Sequence, residues 1–170
     1  MASPTSEPGW IVRRATDDDL EGAIEVLVAV AEERVHIGTE PPVDRDRRVR
    51  KWRERLTEEK GDMFVAIADG RVVGSADVAW AGVSEIGMAL LPEWRGRGLG
   101  SALLEALIAG AEEAGSHKLE LRVWPHNTAA LALYEKFGFE REGYLKRHYR
   151  RSNGELWDCI IMGLQLPRST

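Results

Sequence analysis

Residues Leu90-Leu91-Pro92-Glu93-Trp94-Arg95-Gly96-Arg97-Gly98-Leu99-Gly100-Ser101 combine three glycines on alternate positions with two arginines and the start of an apolar run. Glycine lets a backbone turn tightly and approach a ligand closely, and a helix N-terminus offers unpaired N–H groups backed by the positive end of its dipole. Such a turn is a cradle for phosphate or pyrophosphate. Downstream, Asn127 and Tyr134 stand seven residues apart, about two helical turns, so both can face one cleft. Glu85 and Glu120 are carboxylates at strand-like positions, suited to taking up a proton.

The elements that must position these groups are legible from periodicity. Trp10-Ile11-Val12-Arg13-Arg14 reads as a strand, and Thr16-Asp17-Asp18-Asp19 as a cap for the helical run Leu20, Ile24, Leu27, Val28, Ala31. Gly38 to Val43 breaks that helix. Asp44 to Glu59 predicts a second, solvated helix whose buried stripe is marked by Trp52 and Leu56. Met63–Ala68 and Arg71–Val78, joined by Asp69-Gly70, carry a hairpin signal. Glu85–Leu91 is a third strand leading into the glycine turn, and Gly98–Ala114 a helix with Leu99, Leu103, Leu104, Leu107, Ile108 and Ala111 in phase. His117–Trp124 then completes a βαβ unit, which requires parallel strands. A short helix from Thr128 to Lys136 and two strands around Ser152-Asn153-Gly154 close the chain.

Composition narrows the classes. A chain of 170 residues fits one domain, burying roughly 70% of its unfolded surface. The net charge of −5 and a pI near 5.5 disfavour a nucleic-acid partner. Cys159 is the single cysteine, so no internal disulfide forms, and its place beside Ile160 and Ile161 suits a packed thiol. No run is apolar enough to span a membrane, and Met1 to Pro8 lacks the hydrophobic core of a signal peptide. A cytoplasmic location is expected. The four histidines have no metal-ligand spacing, so no metal is expected either.

Other readings of the turn fit less well. A P-loop needs Gly-Lys-Ser/Thr, which is absent. A dinucleotide fingerprint finds Gly96, Gly98, Gly100 and a later Glu120, but Pro92-Glu93-Trp94-Arg95 separate the glycines from the strand. A Ser-His-Asp hydrolase needs a nucleophile elbow, also absent.

Arg95-x-x-Gly98-x-Gly100 after a strand ending in Leu-Pro, then a strand, Asn127, and Leu133-Tyr134-Glu135-Lys136-Phe137-Gly138-Phe139, resembles the GNAT N-acetyltransferase superfamily. Val12-Arg13-Arg14-Ala15-Thr16-Asp17-Asp18-Asp19 ahead of a helix is similar as well. The resemblance implies an α/β fold of mixed α+β type. Its central, mostly antiparallel twisted sheet has about seven strands flanked by about four helices, with a loose tail over 1–9 and one domain over 10–168. It implies acetyl-coenzyme A as cosubstrate, with the pyrophosphate on Arg95, Gly96, Arg97, Gly98, Leu99, Gly100 and Ser101. Arg95 or Arg97 would add charge-assisted contacts. It further implies that Met88, Ala89 and Leu90 pair with the pantetheine arm through main chain. Leu90 N–H would be an oxyanion donor, and Asn127 would contact the cofactor arm.

Tyr134 is then the general acid, since transfer from a thioester expels a thiolate and a phenol can protonate it. The plainer readings make Asn127 a helix cap and Tyr134 a core aromatic. A base is also needed: an alkyl ammonium is only about one part in a thousand neutral at pH 7.4, a penalty of roughly 4 kcal/mol. Glu85 is the first candidate and Glu120 the second, and a solvated strand end is the plainer reading of either. Ribosomal-protein acetyltransferases of the superfamily carry a glutamate five residues before the asparagine, where this chain has Arg122.

The expected acceptor is therefore the primary amine of a small molecule, of amino acid, polyamine or antibiotic type. A peptide or protein amine is the alternative, and a non-catalytic acyl-CoA-binding domain is the alternative of another class. Glu32, Glu33, His36, Glu40, Tyr144, His148, Tyr149 and Asp158 are expected to select the acceptor, acidic members suiting a cationic amine. The resemblance leaves a homodimer open.

Overall fold

A computed structural model describes residues 9–80 and 83–167. Residues 1–8 of the expected tail, 81–82 and 168–170 lie outside the described residues.

Strand β1 (Trp10–Arg14) is followed by a turn organised around Asp19. Its carboxylate accepts from Thr16 N–H at 2.7 Å and is gripped by Arg13 through bonds of 2.7 and 2.8 Å. Helix α1 (Leu20–Glu32) leaves this turn with Leu20, Ala23, Ile24, Leu27, Val30 and Ala31 buried, the helical spacing read in the sequence. Helix α2 (Arg45–Thr57) is capped by Asp44, whose side chain accepts from Arg47 N–H. Its one fully buried residue is Trp52, while Leu56 is half-buried against the same cluster.

Strands β2 (Gly61–Ala68) and β3 (Arg71–Ala79) form the hairpin, with Asp69 and Gly70 at φ +50° and +72° as a two-residue hairpin turn demands. Then come β4 (Ser84–Leu90), α3 (Leu99–Glu113), β5 (Lys118–Val123), α4 (Thr128–Lys136), β6 (Glu140–Arg150) and β7 (Leu156–Gln165). One seven-stranded sheet runs in the order β1-β2-β3-β4-β5-β7-β6. Every pairing is antiparallel except β4 with β5.

Helices cover both faces. Leu103, Leu104 and Leu107 of α3 are fully buried with Phe64, Ala76, Val78, Leu119 and Leu121 of the sheet, each leucine contributing about 1.5–3 kcal/mol. On the opposite face Leu20, Ile24 and Trp52 pack with Met63. Neighbours Met63 and Phe64 enter opposite cores, as the two-residue period of a strand requires.

The last hairpin departs from two plain strands. Its register slips between Leu145 and Tyr149, where Arg147 sits at φ +51°. Asp158 stabilises the bulge, accepting from Arg147 N–H at 2.7 Å and from Tyr144 hydroxyl at 2.6 Å. Two extra residues in one strand leave no mark in the hydrophobic pattern, so the bulge was invisible beforehand.

Candidate active site

The site begins as an interruption in the sheet. Strands β4 and β5 pair only at Ser84 with Leu119 and Glu85 with Glu120, while β4 continues to Leu90. Leu91 N–H bonds Val73 on the β3 side at 3.0 Å. Because backbone groups alternate along a strand, the N–H and C=O of Met88 and Leu90 face the opposite edge, into the gap. Buried backbone groups need partners, so this unladdered edge suits an extended ligand with amide groups of its own. A cleft of about 690 Å³ occupies the gap.

The glycine turn closes one end of that cleft. Gly96 and Gly98 sit at φ +70° and +87°, and Gly98 is the N-cap of α3. A side chain at either position would strain the backbone. Gly100 answers to space instead: a Cβ there would meet Leu133 at 3.2 Å and Leu90 at 3.4 Å, so its absence lets α3 seat against β4 and α4. Gly96, Gly98, Gly100 and Ser101 all line the cleft.

The two arginines of the turn differ in their surroundings, and Arg95 is the one that lines the cleft. Arg95 reaches back to Glu33 through bonds of 2.8 and 2.6 Å and to the Leu90 carbonyl at 2.9 Å. Its guanidinium therefore moors the turn, and the Glu33 carboxyl is held below its ordinary range, chiefly by that hydrogen bond. Arg97 lies with its guanidinium carbon 4.8 Å from the Trp94 ring centre, and its side chain has no ion-pair partner among the described residues. Leu99 is buried in the core, so only its main chain can serve a ligand.

Tyr134 and Asn127 reach the cleft from α4, the side opposite β4. Tyr134 packs on Phe139 with ring centres 5.6 Å apart, so both aromatics of the Tyr-x-x-x-x-Phe stretch have a packing role. Burial pushes the Tyr134 phenol up to about 12, which keeps it protonated and able to donate. Asn127 caps α4, its side chain accepting from Ala130 N–H at 3.3 Å while it also lines the cleft. Met88, Ala89 and Leu90 form the facing wall.

At the other end the sheet face toward α1 and α2 supplies charge. Glu85 lines the cleft and has no ion-pair partner among the described residues; Glu120, its neighbour across the parallel pair, is not part of the lining. Asp77, which sequence reading missed, stands opposite Gly87 in the β3–β4 register, while Ala79 stands opposite Glu85. Both carboxylates thus share a face at a diagonal of about 7–8 Å. A Cβ on Gly87 would come within 3.3 Å of Asp77 Oδ1, so that glycine makes room for the carboxylate. Burial pushes the Asp77 carboxyl up, against the pull of Arg55 and Arg48, and Arg55 Nη1 pairs with it at 2.5 Å. A single carboxylate between Ala76 and Val78, in a strand that is mostly apolar, was the available signal.

The expected acceptor-selecting set divides. His36 and Tyr149 line the cleft; Glu32, Glu33, Glu40, Tyr144, His148 and Asp158 do not. Glu33 holds Arg95, Glu40 accepts from Ser152, and Asp158 secures the β6 bulge. Arg122, Arg48, Thr39 and Trp124 join the lining instead. Arg151 fixes the loop between α1 and α2: its guanidinium carbon lies 4.3 Å from the Trp157 ring centre and 5.3 Å from that of Trp124, and it donates to the Gly38 carbonyl at 3.2 Å. Cys159 is fully buried, its thiol pushed up by burial, and takes no part in the cleft. Among the described residues no cluster of His, Cys, Asp or Glu could hold a metal ion, and no helix is long and apolar enough to cross a membrane.

A sheet split between two parallel strands, with a glycine turn at one end and a phenol and a carboxylate farther along, defines an acyl-CoA-dependent transferase. Residues 26–139 match the model of the acetyltransferase (GNAT) family. The chain belongs to that family and is an acetyl-CoA-dependent N-acetyltransferase. It is 35% identical over 119 residues to the L-amino acid N-acetyltransferase AaaT of Escherichia coli, covering 65% of this chain and 73% of that one. It is 42% identical over 79 residues to the ribosomal protein bS18-alanine N-acetyltransferase of the same organism, covering 46% of this chain and 53% of the relative. The chain thus spans about half the length of the latter. Among solved structures, the ribosomal-protein-alanine N-acetyltransferase of Brucella melitensis superposes with a TM-score of 0.83 at 29% identity, over 92% of this chain and 99% of that one. Similarity in fold extends to yncA of Salmonella typhimurium, determined with its cofactor acetyl-CoA, with a TM-score of 0.85 at 24% identity over 95% and 96% of the two chains.

Proposed function

We propose that this enzyme acetylates the primary amine of a small molecule by direct attack on the thioester of acetyl-CoA. The carrying observation is the continuity of one cleft from the glycine turn, along the unladdered edge of β4, to Tyr134 and Glu85. Its residues fit the cosubstrate. The amides of Gly96 to Ser101 take the pyrophosphate, Arg97 adds charge, and Met88 offers main-chain groups to the pantetheine amides. When bound, the cosubstrate supplies the acetyl group on a thiol leaving group.

The protein's own part is proton management. Glu85, which forms no ion pair among the described residues, accepts the proton that the acceptor's ammonium must lose. Tyr134 O–H donates a proton to the departing sulfur, and its burial keeps the phenol neutral until that moment. Leu90 N–H is directed into the gap, where it stabilises negative charge on a carbonyl oxygen. Asp77, already paired with Arg55, shapes the acceptor end rather than taking the proton.

The similarity to bS18-alanine acetyltransferases supports a second reading, a protein N-terminus as acceptor. Arg122 disfavours it, standing where the ribosomal-protein acetyltransferases carry a glutamate five residues before the asparagine. One domain over residues 10–168 and a cytoplasmic setting, with the single thiol buried and reduced, complete the proposal. Thiol release from acetyl-CoA across a panel of small amines and a bS18-like N-terminal peptide tests it. Turnover with small amines supports the reading, and turnover with the peptide alone refutes it.

A further inference from the structure

The acceptor end of the cleft carries more positive charge than its carboxylates use. Asp77 is taken by Arg55. Arg122 donates to Tyr149 hydroxyl at 2.9 Å, and Arg48 to Thr39 hydroxyl at 3.4 Å. Neither guanidinium has an ion-pair partner among the described residues, yet both line the cleft. Trp52, four residues after Arg48 and on the same face of α2, is 3% exposed and lines the cleft, its indole N–H turned toward the Asp77 carboxylate.

We propose that the acceptor bears a carboxylate beside its amine, the carboxylate held by Arg122 and Arg48, and the ammonium facing Glu85. This rests on the small-molecule reading above and narrows it to amino acids. A polyamine or an aminated sugar brings only positive charge and would meet two guanidiniums that no ion pair occupies. An amino acid presents one charge of each sign to a surface arranged in the opposite sense. Arg122 is well suited to hold the carboxylate, because its planar fork matches that group and Tyr149 orients it.

The test compares amino acids with their own C-terminal amides and with the decarboxylated amines, at saturating acetyl-CoA, by thiol release from the full chain. Spermidine and a bS18-like peptide complete the panel. The expected result is a kcat/KM about tenfold or more higher for the carboxylate than for its amide, carried mainly by KM. In Arg122→Gln that ratio falls toward one, and Arg122→Lys, which keeps charge without the fork, restores part of it. Equal kcat/KM for amino acid and amide in the wild type overturns this inference while leaving small-amine acetylation standing. Turnover confined to the peptide overturns both.

Discussion

Arg95 and Glu33 hold one another through two hydrogen bonds, Nη1 to Oε2 at 2.8 Å and Nη2 to Oε1 at 2.6 Å, and so tie the glycine turn to the C-terminal end of α1. The same guanidinium closes on the Leu90 carbonyl, so turn, helix and cleft wall share one fastening. Arg95→Ala and Glu33→Gln are each expected to raise KM for acetyl-CoA about tenfold, since a hydrogen bond to a charged group contributes about 1.5–3 kcal/mol. Arg95→Lys should not rescue, because a single ammonium cannot reproduce the fork. Unaltered KM values in all three variants would show that the turn keeps its shape without this fastening.

The two candidate bases separate by position. Glu85 lines the cleft and Glu120 does not. Glu85→Gln is expected to lower kcat about 10²-fold at neutral pH, the ordinary worth of a positioned base, and Glu120→Gln to change it less than about threefold. The loss in Glu85→Gln should shrink as pH approaches the acceptor's own pKa, because more amine is then neutral without help. A larger loss in Glu120→Gln than in Glu85→Gln would reverse the assignment.

Gly98 sits at φ +87° with little against it but Trp10 at 3.8 Å, so conformation rather than space governs the position. Gly98→Ala should cost about 1–2 kcal/mol, expressed as weaker acetyl-CoA binding by calorimetric titration when the turn relaxes. Gly115→Ala has the same positive φ at the far end of α3 and open space around it. It should lose comparable stability yet bind acetyl-CoA as the wild type does. Equal affinity in both variants would remove the turn from the binding site.

Acid stability depends on Asp19. The Arg13 guanidinium, bonded at 2.7 and 2.8 Å, holds the Asp19 carboxyl at about 2 against an ordinary 3.8. A carboxyl depressed in the folded state stabilises it above the unfolded pKa, and that contribution is lost as pH falls through the folded value. It therefore fades between pH 3.8 and about 2, and is worth about 2 kcal/mol at most at neutral pH, Arg13 being partly exposed. Urea melts of Asp19→Asn should show that deficit at pH 7 and converge with the wild type near pH 2. A deficit that persists undiminished at pH 2 would mean that Asp19 acts through packing rather than charge.

Local chemistry explains which parts were legible beforehand. The αL glycines, the Asp69-Gly70 turn and the phased leucines of α3 act within a few residues, so sequence displays them directly. Tyr134, Asn127, Glu85 and the β4 edge were singled out because a recurring order of elements places them, and all of them line one cleft. Asp77, Arg48 and Trp52 come together only through the β3–β4 register and the docking of α2, relations that span dozens of residues and leave no periodic trace. The Arg95–Glu33 pair was hidden for the same reason: nothing near Arg95 in sequence announces Glu33. Of the acidic residues expected to receive the acceptor, Glu33, Glu40 and Asp158 are engaged by Arg95, Ser152 and the β6 bulge.

If Tyr134 returns a proton to the departing thiol, its hydroxyl must show in steady-state thiol release from acetyl-CoA with an amino-acid acceptor, wild type against Tyr134→Phe. The variant is expected to lose at least about 10²-fold in kcat while its affinity for acetyl-CoA stays within about threefold. With the phenol held near 12, the wild-type rate should show no decline from its ionisation below about pH 11. A Tyr134→Phe enzyme that turns over at the wild-type rate would contradict the assignment of Tyr134 as the acid.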